Sequence, residues 1–357
     1  MKTTITLVLT LGLASSAFAQ SPSSAFDRGS NLQVWQHPDY QATLKQCAKP
    51  PQAFSIGGGV AYDSVTAEPP APAMPVADAI PGIINGKEQW RVVWAWQGNN
   101  ADGPIADANG SLLFANQDAG NVMQLDPATS LAQIIFDDTN TGGAVSRSKN
   151  GALFLAMRGL HSGIMQLEPE RKVFADMVNG EPFDCTGGVV NDIAADSKGG
   201  VYIAVSGAGV FYADAGGVIT QYGTAVNGAN GIILSPEEDV LYVTNGPVLV
   251  AFDVQADGAL SNQRDFAKLS GGGDGSAVDS EGRIYVAAGS TVNVISSTGE
   301  SLGIIPGPQG LHGVAFGGAD KRTLFGIVFY GTWGTAAARN QVVAIDVLSQ
   351  GFLGRAK

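Results

Sequence analysis

The chain has 357 residues, of which 45% are apolar and only 15% are charged, and its formal net charge is −12. This composition is typical of a folded globular protein and excludes a disordered chain, which would have fewer apolar residues and more charge. The excess of acidic residues argues against binding to nucleic acid or to an anionic membrane, because both need a basic surface. It is compatible with a site for a small molecule or a cation.

The first nineteen residues have the features of a signal peptide. Lys2 supplies a basic start, residues 5–13 are apolar, and Ala17 and Ala19 form the small-x-small pattern that precedes a cleavage site. No later apolar run reaches the length of about 18 residues that a membrane-spanning helix needs. We therefore expect residues 1–19 to be removed and the mature protein to be exported, to the periplasm or outside the cell.

Residues 20–89 differ in composition from the rest of the chain. Residues 69–75 are rich in proline and predict an extended connector, and only residues 40–47 look weakly helical. We interpret residues 20–89 as an arm that lies on the main domain. An oxidising destination makes Cys47, in this arm, and Cys185 candidates for a disulfide, and the alternative is that one or both are buried thiols.

A repeat begins soon after residue 90. Six similar segments start 38 to 48 residues apart. Their first residues are Asp102, Gly143, Asn191, Asn230, Asp274 and His312. In each segment a short apolar strand, a small polar turn and a second apolar strand follow one another, and the spacing suits four strands with their turns. The sequence therefore predicts an all-β fold, a six-bladed β-propeller over residues 90–357 with an N-terminal arm.

Two further features fit this fold. Residues 91–96 look like a lone strand, which would pair with the last blade near residues 342–347 and close the ring. Asp107, Asp196 and Asp279 open the small turns inside the repeats, and we interpret them as structural.

Polar residues gather at one end of the predicted channel. The residue that opens each inner strand sits at this mouth, and the second strand returns to it near Asn116, Arg158 and Asn245. The oxygens of Asp102, Asn191, Asn230 and Asp274 suit Ca²⁺, which prefers oxygen ligands, better than Zn²⁺. The alternative is that the Asp-Gly and Asn-Gly pairs at these positions are ordinary turns.

Three stretches, residues 191–202, 230–236 and 274–282, carry a resemblance to a known family. They resemble the family that groups senescence marker protein, gluconolactonase and luciferin-regenerating enzyme. The resemblance implies a six-bladed propeller that holds a divalent cation, often Ca²⁺, through Glu, Asn, Asn and Asp. The last three ligands map onto Asn191, Asn230 and Asp274, whereas Asp102 stands where the family usually has glutamate.

The resemblance also implies an activity, the hydrolysis of a lactone or a related ester. On this hypothesis the cation polarises the carbonyl group of the substrate, and Asp274 accepts a proton from the attacking water. His312 has either a proton-handling or a packing role. Arg158, Asn116 and Asn245 position the substrate, and the alternative for Arg158 is a surface ion pair. We expect a monomer that acts on a small molecule.

Two other functions remain open. The propeller could bind a small molecule or a partner without catalysis, or it could be a lyase or an isomerase that uses His312. No Gly-x-Ser-x-Gly elbow and no dinucleotide fingerprint is present in the sequence. Metal binding followed by a panel of lactones would separate the three hypotheses.

Overall fold

The computed structural model describes residues 37–49, 68–98, 100–117, 119–332 and 335–354. The described residues are almost entirely β-strands, arranged as six sheets around a channel, and the predicted all-β, six-bladed propeller is confirmed. Within these ranges no helix is long and apolar enough to cross a membrane. The predicted signal peptide lies outside the described residues.

The chain enters the propeller through a short helix and one strand, which are α1 (Tyr40–Leu44) and β1 (Arg91–Gln97). Blade 1 consists of β2 (Ala101–Ala106), β3 (Leu112–Asn116), β4 (Asn121–Asp126) and β5 (Leu131–Phe136). Blade 2 consists of β6 (Val145–Arg147), β7 (Leu153–Met157), β8 (Gly163–Glu168) and β9 (Lys172–Ala175).

Blade 3 is extended by two short strands, β10 (Met177–Val178) and β11 (Glu181–Pro182), which are followed by a 3-10 helix at Phe183–Thr186. Its four main strands are β12 (Val189–Ala195), β13 (Val201–Ser206), β14 (Gly209–Ala213) and β15 (Ile219–Tyr222). Blade 4 consists of β16 (Ala229–Leu234), β17 (Val240–Asn245), β18 (Val248–Val254) and β19 (Leu260–Lys268).

Blade 5 consists of β20 (Gly273–Val278), β21 (Ile284–Ala288), β22 (Thr291–Ile295) and β23 (Ser301–Pro306). Blade 6 combines both ends of the propeller, and its strands are β24 (Leu311–Gly317), β25 (Thr323–Tyr330), β26 (Arg339–Asp346) and β1.

The ring closes by the pairing of β1 with β26. The two strands are antiparallel, with Arg91 opposite Ala344 and Trp96 opposite Asn340. The predicted lone strand and its partner are therefore confirmed, although the pairing runs a few residues nearer the N-terminal end of β26 than expected. Closure gives blade 6 its fourth strand and covers an edge of β26 that would otherwise be open to other chains.

The core lies between neighbouring blades. Every residue of β3, β7 and β21 is buried, because these strands pack against another blade on both faces. This two-sided burial explains why the second strand of each repeat is a continuous apolar run instead of an alternating one. Between blades 5 and 6, for example, the rings of Tyr285 and Phe316 meet edge to face, with centroids 4.8 Å apart.

Part of the arm belongs to this core. Ala77, Ile83 and Ile84 are each only 1% exposed, and they join the apolar cluster of blades 5 and 6. The indole nitrogen of Trp90 donates a hydrogen bond to the carbonyl oxygen of Pro306 at 2.8 Å. The expectation that the arm lies on the propeller therefore holds for this part of it.

A disulfide joins the other described part of the arm to blade 3. Cys47 is bonded to Cys185, which lies in the 3-10 helix Phe183–Thr186. The predicted disulfide is thus present, and the alternative of two free thiols is wrong. The bridge fixes the arm close to the start of β12, the strand that carries Asn191.

The disulfide should contribute to stability, because it closes a loop with a sequence separation of 138 residues. On the chain-entropy model, the double variant Cys47→Ser/Cys185→Ser loses at most about 5 kcal/mol of unfolding free energy. Urea unfolding of the two proteins without reductant measures the loss. Two titratable thiols in the denatured, unreduced wild-type protein, together with equal midpoints, would contradict the prediction.

Candidate active site at the channel mouth

A cavity of about 380 Å³ opens where the inner strands begin. Its walls are formed by Asn100, Asp102, Arg158, Asn191, Asn230, Asp274, Gly310, His312 and Phe329. All four residues that the sequence suggested as metal ligands therefore meet in one place, together with Arg158 and His312. This cavity is the candidate functional site.

The polar residues of the cavity lie inside strands. Asp102, Asn191, Asn230, Asp274 and His312 each lie in the first half of an inner strand. The strand register is irregular at or beside each of these five positions. The alternative that the Asp-Gly and Asn-Gly pairs form hairpin turns is therefore wrong, because the pairs belong to the lining of the channel.

Glycines follow four of these five residues, all except Asn191, and let the inner strands approach one another. A Cβ atom on Gly231 would lie 2.1 Å from the backbone oxygen of Asp274 in the next blade, and one on Gly103 would lie 2.4 Å from Ala144. Neither distance is possible for a real side chain, so glycine is required by the close packing of the blades. The glycines therefore determine how close the polar side chains of neighbouring blades lie to one another.

Blade 2 contributes to the cavity in a different way. At the repeat position where the other five blades have a polar residue, blade 2 has Gly143, which has no side chain. A Cβ atom there would lie 2.1 Å from Nε of Arg158. The guanidinium group of Arg158 thus occupies the space that a side chain at position 143 would fill. Arg158 follows β7 directly, so the second strand of blade 2 supplies what its first strand lacks.

Arg158 is buried, with 6% of its surface exposed. Its Nε donates to the carbonyl oxygen of Val190 at 2.7 Å, and its Nη1 donates to Oε1 of Gln117 at 2.6 Å. Its Nη2 donates to Oδ1 of Asn191 and lies 3.9 Å from Oδ2 of Asp102. Burial lowers the pKa of Arg158, although Asp102 and Asp274 oppose this shift. The alternative of a surface ion pair does not fit this geometry, because Arg158 is buried.

Sequence reasoning missed Gln117 and Asn100. Gln117 is fully buried, and its Oε1 accepts hydrogen bonds from Arg158 and from Nδ2 of Asn100, the latter at 3.0 Å. The sequence instead pointed to Asn116, which is buried at the end of β3 but does not line the cavity. Successive residues of a strand face opposite sides of the sheet, so a prediction that is one residue off, Asn116 instead of Gln117, names a side chain on the wrong side.

Asn245 does not line the cavity either. Its Oδ1 accepts a hydrogen bond from the backbone nitrogen of Gly228 at 2.9 Å, so the side chain holds a loop beside β16. In blade 6 the lining residue at the end of the second strand is Phe329 and not Tyr330, its neighbour. The substrate-positioning roles suggested for Asn116 and Asn245 stay predictions, and both would act from outside the cavity wall.

His312 is held by two backbone carbonyl groups. Its Nδ1 lies 2.9 Å from the oxygen of Gly310, and its Nε2 lies 2.7 Å from the oxygen of Ala101. Carbonyl oxygens only accept hydrogen bonds, so two such contacts favour the doubly protonated imidazolium. Burial lowers the pKa of His312, but Asp102, Asp274 and the two carbonyl groups outweigh it, and the pKa is raised.

Asp274 has a perturbed carboxyl group. Burial and the nearby charge of Asp102 raise its pKa to about 7, although His312 and Arg158 oppose the shift. Without a bound cation the site therefore resists holding two negative charges. In the cation-free site the carboxyl group of Asp274 therefore changes its protonation state near neutrality.

The donor set fits a hard divalent cation. Two carboxylates and two carboxamides face one cavity. The carboxamide of Asn191 is oriented by Ser206, because its Nδ2 donates to Oγ of Ser206 at 3.0 Å. Oδ1 of Asn191 therefore points away from that hydroxyl group and towards Arg158. Oxygen donors of this kind suit Ca²⁺. Zn²⁺ fits less well, because both nitrogens of the only histidine in the wall already face carbonyl oxygens. A cation at Asn191 and Asp102 would take over the oxygens that Arg158 now contacts.

Comparison with known proteins supports the fold and identifies a family. The family described as the SMP-30/Gluconolactonase/LRE-like region matches residues 100–327. The gluconolactonase of Zymomonas mobilis subsp. mobilis is 24% identical over 273 residues, which cover 63% of this chain and 75% of that protein.

Solved structures share the architecture. A gluconolactonase from Xanthomonas campestris superposes with a TM-score of 0.62 at 20% identity, covering 78% of this chain and 99% of the other. Regucalcin from Agrobacterium tumefaciens, a calcium-binding protein, gives a TM-score of 0.56 at 17% identity, covering 70% of this chain and 92% of the other. At these identities the structural likeness shows the fold.

The propeller with its polar channel mouth defines the class of this protein. The chain belongs to the SMP-30/gluconolactonase/LRE-like family, since the family match spans most of the propeller. The resemblance seen in the sequence is thereby confirmed.

The packing of the inner strands can be tested at Gly231. The variant Gly231→Ala places a Cβ atom against the backbone of Asp274, so we expect a loss of about 1–3 kcal/mol in unfolding free energy. The matched control is Gly272→Ala, because nothing lies within 4 Å of a Cβ atom at Gly272. Urea unfolding measures both variants, and equal stability of the two would contradict the prediction.

The charges of the site predict a dependence of stability on pH when a chelator removes divalent cations. The pKa of Asp274 is raised from 3.8 to about 7 on folding, so the folded state binds more protons and stability falls as pH rises through this range. The raised pKa of His312 acts in the same direction, since its stabilisation is lost as pH rises.

The measurement is urea unfolding of the wild type and of Asp274→Asn in EGTA at pH 5 and pH 8. We expect the stability of the wild type relative to the variant to be greater at pH 5 than at pH 8. A relative stability that increases with pH would show that the carboxyl group of Asp274 is not destabilised by its surroundings.

Proposed function

We propose that this protein hydrolyses a lactone or a related ester with the help of a divalent cation, most simply Ca²⁺, at the channel mouth. The observation that supports this most is the convergence of Asp102, Asn191, Asn230 and Asp274 with Arg158 in one cavity. Membership of a family that includes gluconolactonase supports the reaction, and the donor set supports the cation. The substrate is a small molecule, in keeping with a cavity of about 380 Å³.

The four oxygen-bearing residues would hold the cation, which supplies positive charge that polarises the ester carbonyl group. Asp102 takes the position that is usually glutamate in relatives, one methylene shorter, and its Oδ1 is fixed by the backbone nitrogen of Gly103 at 2.7 Å. The adjacent glycines hold the strands close together, so the shorter side chain still reaches the cavity.

Asp274 is the proposed general base. It accepts a proton from the attacking water, whose oxygen bonds to the carbonyl carbon, and the ester C–O bond then breaks. The proton passes to the departing alkoxide and gives a hydroxyl group, and the new carboxylic acid releases its own proton to the solvent and becomes a carboxylate. A bound cation would counteract the raised pKa that Asp274 has in the cation-free site, so Asp274 would act as an ionised carboxylate and a modest base, which suits an activated ester.

Arg158 and His312 supply fixed positive charge beside the reacting group. Arg158 is oriented by Gln117 and by the carbonyl oxygen of Val190, so little of its freedom is lost when it meets an anionic or hydroxyl-rich substrate. The carbonyl contacts of His312 favour an electrostatic role over proton transfer, because both N–H groups are already engaged.

The test compares Asp274→Asn with Asn191→Ala. In the first variant the introduced carboxamide keeps an oxygen but cannot accept a proton, so saturating Ca²⁺ should restore cation binding while kcat/KM stays about 100-fold or more below the wild type. Asn191→Ala removes a neutral ligand, and added Ca²⁺ should recover much of its rate. A lactone panel assayed by pH-stat, with calorimetry of Ca²⁺ binding, gives both quantities.

The same experiment separates hydrolysis from binding alone. Ca²⁺ binding without turnover of any lactone would favour a non-catalytic binding propeller. Wild-type turnover by Asp274→Asn would exclude Asp274 as the base. If EGTA changes neither the melting temperature nor the activity, the site holds no essential metal.

We also propose that the protein works as an exported monomer. The features of residues 1–19 and the Cys47–Cys185 bridge support export, since disulfides persist in oxidising compartments.

A further inference from the structure

A second group of metal-binding side chains lies where the arm meets blade 2. His37 and Asp39 precede α1 in the arm, and His161 lies in the turn between β7 and β8. His161 is 122 residues from Asp39 in sequence, yet its Nε2 lies 3.1 Å from Oδ2 of Asp39. The chain has only three histidines, and two of them meet here.

We propose that His37, Asp39 and His161 form a binding site for a divalent transition-metal cation of the Zn²⁺ type. Each residue offers one ligand atom, and the three atoms lie within 4.8 Å of one another. Ligand atoms around tetrahedral Zn²⁺ are about 3.4 Å apart, so a small rotation of the side chains brings the three atoms to the spacing that Zn²⁺ needs. The side chains have this freedom, because those of Asp39 and His161 are 60% and 53% exposed.

The chemistry of this set differs from that of the channel mouth. Two imidazoles and one carboxylate suit Zn²⁺ and neighbouring transition metals, whereas Ca²⁺ prefers oxygen ligands alone. Three protein ligands leave a fourth position for water. Nδ1 of His37 lies 3.9 Å from Oδ2 of Asp39 and accepts a hydrogen bond from the backbone nitrogen of Asp39 at 3.2 Å, so a cation at Nδ1 would replace that hydrogen bond.

The backbone around His161 is fixed before any cation binds. The backbone nitrogens of His161 and Ser162 donate to Oδ1 of Asp184 at 3.0 and 3.3 Å. Nδ2 of Asn140 donates to the carbonyl oxygen of Leu160 at 2.9 Å. The ring of His37 meets the ring of His161 edge to face, with centroids 5.2 Å apart. The two imidazole rings are therefore already close together, and binding of a cation would cost little conformational entropy of the backbone.

The position of the site suggests what the cation does. Asp184, which holds the backbone of His161, is the residue before Cys185 of the disulfide. A cation shared by His37, Asp39 and His161 would thus be a second crosslink between the arm and the propeller, beside the first. It would hold the arm in place even when the disulfide is reduced.

Calorimetric titration of the full chain with Zn²⁺ tests the proposal, without reductant and with saturating Ca²⁺. We expect one Zn²⁺ per chain, and a higher melting temperature with Zn²⁺ than without it. His161→Asn should weaken binding by at least about tenfold and abolish the thermal shift. Asparagine is chosen because His161 has a φ of 65°, which asparagine tolerates well. His37→Gln gives an independent second variant with the same expected loss.

The controls are variants of the channel mouth. His312→Gln removes the third histidine, and Asp274→Asn removes a carboxylate from the cavity, so both should bind Zn²⁺ as the wild type does. Absence of Zn²⁺ binding below about 1 mM would overturn the proposal. So would wild-type affinity in both His161→Asn and His37→Gln, or a loss of binding in the mouth variants alone.

Discussion

The close approach of the inner strands around the channel determines most of what this molecule can do. The inner strands pack so tightly that a Cβ atom on Gly231 would touch the next blade. They bring polar side chains from five of the six blades to one cavity, and Arg158 joins them from the second strand of blade 2. The site is therefore assembled from residues far apart in sequence without any long loop. The glycines that follow the polar residues act through this packing, and a larger residue would move the functional side chains apart.

The cavity combines charges that are costly to bury separately. Burial and the repulsion between Asp102 and Asp274 raise the pKa of Asp274. Arg158 and His312 offset part of this repulsion by direct contact or proximity. A cation bound to the same oxygens would offset it more strongly, but it would compete with the guanidinium group for Asn191. The cation and the guanidinium group of Arg158 would therefore exchange places at Oδ1 of Asn191, and the balance between them depends on all the charges of the site.

The repeat and the closure of the ring could be predicted from the sequence, because apolar runs at regular spacing reflect blades that are buried on both faces. The cavity residues of the inner strands could be predicted for the same reason, since Asp102, Asn191, Asn230, Asp274 and His312 share one position in the repeat. Gln117 could not, because it lies one residue beyond a strand end and acts through Arg158. The meeting of His37 with His161 depends on how the arm folds back, which no repeat encodes.

Blade 6 is made from the first and the last strands of the propeller, and the side chains of Arg91 and Asp346, 255 residues apart, are joined across it. A ribosome therefore completes blades 1 to 5 before the partner of β1 exists. Until β26 is made, β1 presents an open strand edge, and the apolar faces of the two end blades lack each other's cover. Contacts of such long range are slow to form, so the ring closes late in folding. A chain that stops short of β26 would contain every residue that lines the cavity and still lack the closed ring that brings them together.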